Sequence, residues 1–267
     1  MKLFCFDIDG TLIPFGEREI PEEELKALQA LLDAGHAVAL ASGRPFCSLK
    51  HHLSPLRGKA KFYICANGAS VYDDDGNTIE ETALTSSDLL YVRSKYEKGS
   101  IGIYAYEGRG NIVCFSRDKW ILEEEDYNRI PVEDITILDE HKPIIGHDHL
   151  LKIMIAGEKE DMVHFELDDE DKEKYEYSRS APTYLELLQK GSTKGERVED
   201  LRKHLGIKPE DVYCFGDQNN DLSMITRFNG VAMGNAIEEL KREAKYITAD
   251  DHHHGVVYAL HDILKVI

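Results

Sequence analysis

The chain is short of positive charge: 32 lysines and arginines stand against 50 aspartates and glutamates, a formal net charge of −18 over 267 residues. A nucleic-acid partner needs a basic face, so that class of partner is excluded. Cysteine is scarce as well. The five residues Cys5, Cys47, Cys65, Cys114 and Cys214 are odd in number, scattered, and form no C-x-x-C pair. That pattern argues against a disulfide framework or a zinc site and for reduced, buried thiols. No apolar run approaches the roughly 20 residues that cross a bilayer, which excludes a membrane-spanning role. The opening Met1-Lys2-Leu3-Phe4-Cys5-Phe6-Asp7 meets an acidic residue too soon for a secretory signal, and the cytoplasm is the expected compartment. Three motifs are missing too: G-x-x-x-x-G-K-[ST], a cysteine followed six residues later by arginine, and G-x-S-x-G. Their absence argues against a P-loop nucleotide hydrolase, a cysteine phosphatase loop and a serine esterase elbow.

What is present alternates strand and helix. Leu3–Phe6, Ala37–Ala41 and Phe62–Ala66 read as buried strands, and each stops at small or polar residues. Pro21 to Ala34 carries Leu25, Leu28, Leu31 and Leu32 at helical spacing, with Gly35 placed to end it. Ser70–Tyr72 and Thr78–Glu81 flank Asp73-Asp74-Asp75-Gly76-Asn77 and predict a hairpin leaving the sheet. The rhythm returns late, with a helix over Glu196–Leu205, a strand over Val212–Phe215, a helix from Asp221, a strand over Gly230–Met233, and helices near Glu238–Ala244 and from Gly255. Such alternation implies an α/β fold, a doubly wound parallel sheet with right-handed crossovers. Between the halves the chain is more charged, with a helix over Ser87–Lys98, paired strands near Ile101–Tyr106 and Ile112–Phe115, and a strand at Leu151–Ile155. This reads as an inserted α/β domain at 83–184, with 1–82 and 185–267 forming the core, and hinges near Glu81–Leu84 and Leu185–Gln189. The acidic stretch Glu166–Glu176 reads as a solvated face, and His252-His253-His254 as an exposed loop, because consecutive side chains diverge.

The strongest chemical signal is Asp7-Ile8-Asp9-Gly10-Thr11, directly after a hydrophobic strand. Gly10 permits the tight turn that lets two aspartates face one crevice. In an open parallel sheet that crevice lies beyond the carboxyl ends of the strands. D-x-D-G-T here resembles the first motif of the haloacid dehalogenase-like phosphatases. Their other signatures follow in order: Ser42 before Gly43-Arg44, Lys194 in Lys190-Gly191-Ser192-Thr193-Lys194-Gly195, and Gly216-Asp217-Gln218-Asn219-Asn220-Asp221 with Met224 beyond. The G-D-x-x-N-D-x-x-M spacing, the Asn67-Gly68-Ala69 segment and the long insertion resemble the Cof-type branch. One departure is His254-Gly255-Val256, where that family often has Asp-Gly-Val.

The resemblance implies a Rossmann-like core with a cap domain, and a magnesium-dependent phosphatase of small phosphate monoesters. Asp7 would be the nucleophile, forming an aspartyl-phosphate, and Asp9 the proton donor and acceptor. Mg2+ would be held by the carboxylates of Asp7 and Asp217 and the backbone carbonyl of Asp9. Lys194 and Ser42 would serve the transferring group, Asn220 would orient Lys194 or the phosphate, and Asp221 would stand behind the metal ligands. Gly43 is a phosphate-binding candidate and Arg179, on the inserted domain, a substrate-binding one. Sugar phosphates lead the expected substrates, followed by phosphorylated cofactors such as pyridoxal phosphate or flavin mononucleotide. A phosphomutase and a non-catalytic metabolite sensor are the remaining alternatives.

Overall fold

In a computed structural model of the chain, residues 1–139, 141–142, 144 and 146–267 are described. The strands in chain order are β1 (Leu3–Phe6), β2 (Ala37–Ala41), β3 (Lys61–Cys65), β4 (Ser70–Asp73), β5 (Thr78–Glu81), β6 (Gly102–Glu107), β7 (Asn111–Cys114), β8 (Ile135–Ile137), β9 (Leu150–Ala156), β10 (Tyr175–Ala181), β11 (Tyr184–Gln189), β12 (Val212–Gly216), β13 (Asn229–Ala232) and β14 (Tyr246–Ile247). The chain divides into two compact units. One comprises Met1–Ser42, Leu49–Glu80 and Thr193–Ile267, the other Gly43–Ser48 and Glu81–Ser192.

The first unit is built on an eight-stranded sheet of order β14-β13-β12-β1-β2-β3-β4-β5. β1 runs parallel to both β12 and β2, in registers Phe6↔Phe215 and Phe6↔Leu40. Every residue of β1, β2 and β3 is buried, which a parallel strand covered on both faces requires and which their near-continuous apolar sequences supply. Phe6 and Phe215 stack at 4.7 Å across the β1–β12 pair. The helix Glu22–Asp33 opens with three glutamates at its positive end and buries Ala27, Leu28 and Leu31. Because the chain moves outward on one side through β2 and β3 and later on the other through β12 and β13, the order reverses at β1. The end of β1 is therefore the topological switch point where α/β sheets bind ligands.

The second unit holds a six-stranded sheet of order β10-β11-β9-β6-β7-β8. Its pairings are antiparallel except β7 with β8. Strand alternation sends Ile103, Ala105, Ile153 and Ile155 into one apolar cluster. Tyr104, Tyr106 and Met154 enter another, with Trp120 and Ile121. Buried acids here are closely partnered. Glu124 accepts from Tyr104 Oη at 2.6 Å, from Tyr106 Oη, and from Asn128 Nδ2 at 2.7 Å. Asp171 accepts from Tyr91, Lys95 and Tyr96.

The structure corrects two expectations. β4 and β5 do not leave the sheet but extend it: β4 pairs antiparallel with β3, from Phe62↔Asp73 to Cys65↔Ser70. Ser70, Val71 and Tyr72 are fully buried, so this strand takes partners on both sides, and β5 with its half-exposed residues is the edge. Second, residues 185–192, read as core with a hinge at Leu185–Gln189, belong to the second unit. β11 pairs with β9 and β10, and Leu185 and Leu187 sit in that unit's apolar cluster. A strand hydrogen-bonded on both sides is poorly suited to act as a hinge. The unit boundaries fall instead at Glu80/Glu81 and Ser192/Thr193, and Gly43–Ser48, expected in the core, also belongs to the second unit. Among the described residues no helix is long and apolar enough to cross a membrane.

Candidate active site

Asp7 is the first residue past β1, and its backbone N–H donates to the Phe215 carbonyl at 3.0 Å, keeping it in line with β12. From there the chain turns at once. Gly10 N donates to Ile13 O at 2.8 Å and Ile13 N to Ile8 O at 2.8 Å. Gly10 has φ of 80°, and a Cβ there would lie 2.6 Å from Asp217 Oδ2. Only glycine combines that backbone with that approach.

β12 ends in Gly216, and the loop beyond it folds around Asp221. Asp221 Oδ2 accepts from the backbone N–H of Asp217 at 2.9 Å and of Gln218 at 3.0 Å. Its Oδ1 accepts from Lys194 Nζ at 2.6 Å, and the same ammonium donates to Asp7 Oδ1 at 2.7 Å. Lys194 opens the helix Lys194–His204, capped by Thr193, whose side chain accepts from Glu196 N. Asp7, Lys194, Asp217 and Asp221 are all buried, at 6% exposure or less. One ammonium thus faces three carboxylates whose oxygens lie within ligand reach of one another.

That imbalance shows in the acidities. Burial, then the Asp221 charge, push the Asp7 carboxyl well above the ordinary carboxylate value despite the pull of Lys194. The same two causes, in the same order, raise Asp217 to about 7, with Gln218 pulling the other way. Burial alone would lower Lys194, but Asp221 and Asp7 hold it above its ordinary value. Asp217 Oδ1 is buried without a hydrogen-bond partner, while Gln218 Nε2 donates to its Oδ2 at 3.0 Å. A buried orphan carboxylate oxygen beside a second carboxyl of raised pKa is what a hard divalent cation relieves, so the donor set fits Mg2+. Asp221, with both oxygens engaged, fits a supporting position better than a ligand's.

The other expected residues divide. Asp9 sits two residues past Asp7, partly exposed and bridged to Ile13. Ser42, buried at the end of β2, donates its N–H to Ile64 O and accepts at its carbonyl from Asn67 N. Asn220 Nδ2 donates to Asn67 Oδ1 at 3.1 Å, so its recorded partner is neither Lys194 nor an anion. Gly43 and Arg179 group with the second unit. Arg179 lines a surface cleft of about 470 Å³ there, and its guanidinium donates to the Phe165 carbonyl. His253 and His254 pair with different carboxylates, Asp250 and Glu24.

Two residues that sequence reasoning passed over brace the loop after Asp7. Asn235 Nδ2 donates to the Gly10 carbonyl at 2.8 Å, and Asn235 Oδ1 accepts from Asp251 N at 3.0 Å. Asp251 Oδ2 in turn accepts from Phe15 N at 2.9 Å. Both ends of the Gly10–Phe15 turn are thereby held. The signal was available: Gly234-Asn235-Ala236 follows a parallel strand, the same placement as Asp7, Ser42, Asn67 and Asp217.

A sequence profile of the haloacid dehalogenase-like hydrolases matches residues 4–260. The chain belongs to this family. Its relatives include YxeH of Bacillus subtilis (strain 168), which carries a provisional phosphatase name and is 32% identical over 98% of each chain. HMP-PP phosphatase of Yersinia pseudotuberculosis is 28% identical over 99% of this chain and 96% of its own. Among solved structures, a haloacid dehalogenase-like hydrolase from Bacteroides thetaiotaomicron superposes with a TM-score of 0.83 at 29% identity, covering 98% of this chain and 99% of that one. The subclass IIB sugar phosphatase BT4131 does so at 0.78 and 26%, covering all of both chains. This haloacid dehalogenase-like hydrolase is a phosphatase, with the family's parallel-sheet core and a second sheet.

Proposed function

We propose that the chain is a magnesium-dependent phosphatase of small phosphate monoesters, with sugar phosphates the leading class, working through an aspartyl-phosphate on Asp7. The observation that carries this reading is Lys194 bridging Asp7 and Asp221, beside the unpartnered buried oxygen of Asp217. A carboxylate attacks an anionic phosphoryl group only where charge is neutralised, and this cluster is built to take up a cation.

In this reading Asp7 attacks phosphorus, the ester P–O bond breaks, and the Asp9 carboxyl gives its proton to the departing oxygen. The Asp9 carboxylate then takes a proton from water, whose oxygen attacks phosphorus and releases phosphate and free Asp7. Lys194 keeps Asp7 oriented and offsets negative charge on the phosphoryl oxygens, and the Ser42 hydroxyl donates to one of them. Asp7, Asp217 and the Asp9 carbonyl would hold Mg2+, which when bound neutralises charge between nucleophile and phosphoryl group. The second unit would act as the cap that selects the organic group. Five free cysteines, four of them buried, suit a reducing compartment, and cytoplasmic action belongs to the same reading.

Support for sugar phosphates comes from the chain's structural relative BT4131, a subclass IIB sugar phosphatase. The relatives named HMP-PP phosphatases favour a second reading, a different small phosphorylated metabolite. A steady-state panel of hexose and pentose phosphates, pyridoxal phosphate, flavin mononucleotide, HMP-PP and phosphopeptides, ranked by kcat/KM with and without Mg2+, decides between them. Hexose and pentose phosphates should lead, and Asp7→Asn should be inert at every substrate, a loss of roughly 10⁴-fold or more. Near wild-type turnover by that folded variant would end the mechanism, and efficient phosphopeptide hydrolysis would end the substrate assignment.

A further inference from the structure

Between β3 and β4 the backbone passes through three left-handed residues in succession: Ala66 at φ 48°, Asn67 at φ 54° and Gly68 at φ 102°. Two of the three carry side chains, in a conformation L-residues rarely adopt, and both are buried. Such strain persists only where surrounding contacts over-determine it, and it gathers at functional sites.

Contacts that hold this turn lead to the segments carrying the candidate site's residues. Asn67 N donates to the Ser42 carbonyl at 2.9 Å. Asn67 Oδ1 accepts from Asn220 Nδ2 at 3.1 Å, across 153 residues of sequence. Gly68 lies so close to the start of the Lys194 helix that a Cβ on it would come within 2.3 Å of the Thr193 carbonyl. The Gly68 carbonyl accepts from Arg197 Nε at 2.8 Å, one turn further along that helix. Asn67 thus joins the loops that carry Ser42 and Asn220, and the adjoining Gly68 packs against the start of the Lys194 helix. Left-handed backbone alone would explain asparagine or glycine at position 67. It does not explain a carboxamide aimed at Asn220.

We propose that Asn67 is a positioning residue of the phosphate pocket, fixing Asn220 through its carboxamide and the Ser42 loop through its backbone N–H. The proposal rests on the reading of Asp7 and Lys194 as phosphoryl-transfer residues. Asn220, partly exposed and anchored at one end only by Asn67, would otherwise sample several rotamers, and an anion would have to restrict it on binding.

The test uses the full chain with Mg2+ and two readouts: orthophosphate affinity by calorimetry, and kcat/KM on an aryl phosphate. Asn67→Gly keeps the left-handed backbone and removes only the carboxamide. It should weaken orthophosphate binding and lower kcat/KM by roughly tenfold each, the scale of one displaced hydrogen-bonding group, with an unchanged thermal midpoint. Because Asn67 acts through Asn220, the double variant with Asn220→Ala should bind orthophosphate no more weakly than Asn220→Ala alone. Wild-type orthophosphate binding by Asn67→Gly, or losses that add in the double variant, would overturn the proposal, as would a lowered midpoint with binding intact. Asn220→Ala measures the same contact from the other side, so the comparison survives poor folding of Asn67→Gly. If turnover instead survived Asp7→Asn, the mechanism would fall while orthophosphate affinity still judged Asn67.

Discussion

Glu124 in the second unit and Asp217 in the first are both buried carboxylates beside a sheet, and their surroundings treat them oppositely. Glu124 has both oxygens occupied by Tyr104, Tyr106 and Asn128. Asp217 has one oxygen held by Gln218 and the other, among the described residues, is the buried carboxylate oxygen left without a partner. A satisfied buried network rigidifies a structure, whereas an unsatisfied one costs stability unless something arrives to complete it. The contrast separates a carboxylate kept for packing from one kept for chemistry, and it can be attacked from either side.

After Asp7→Asn, the largest effect should come from Asp9. Asp9→Asn should slow alkyl phosphates by roughly 10²- to 10⁴-fold, the usual worth of general acid–base catalysis, and activated aryl phosphates much less. An equal loss across leaving groups would remove Asp9 from proton donation. Next is Glu124→Ala, which leaves the buried Tyr104 and Tyr106 hydroxyls without their acceptor while Asn128 Nδ2 keeps Tyr106 Oη, and should lower stability by about 3 kcal/mol in a urea melt. Asp217→Asn should do the reverse in metal-free protein. Burial and Asp221 hold the Asp217 carboxyl at about 7, above its ordinary 3.8. With the folded value above the unfolded one, stability of the metal-free chain falls as pH rises between the two and is lowest above about 7. Removing that charge should therefore add roughly 1 kcal/mol at alkaline pH. A destabilised metal-free Asp217→Asn, or an unaffected Glu124→Ala, would erase the contrast.

Much of the site could be read from the strand-end motifs, because in a parallel sheet the residue after each buried apolar run must enter the crevice. That logic picks out Asp7, Ser42 and Asp217 and the β1-centred core, whereas Lys194, which opens a helix, is named only by the family resemblance. It passed over Asn235, which follows β13 in the same way, and Asp251, whose contacts depend on side chains reaching across to the Gly10–Phe15 turn. It also placed Lys194 in a loop, since the helix was read from Glu196; Thr193 as its cap starts the helix two residues earlier. Leu185–Gln189, read as a hinge, proves to be part of β11 for a related reason. Leu185, Leu187 and Leu188 announce a buried strand but not its neighbours, and only the pairing with β9 and β10 decides that. β4 and β5 erred likewise, since a hairpin signal is the same whether the strands leave a sheet or lengthen it.

The central claim is that the acidic cluster of Asp7 and Asp217 is incomplete without a divalent cation, and calorimetric titration of Mg2+ into the wild type and Asp217→Asn tests it. The account predicts one ion per wild-type chain, bound more tightly at about pH 8 than at about pH 6, because below about 7 it must displace a proton from Asp217. Asp217→Asn should bind it at least tenfold more weakly at about pH 8. Equal affinity in the two proteins, or wild-type binding that ignores pH over this range, would contradict it.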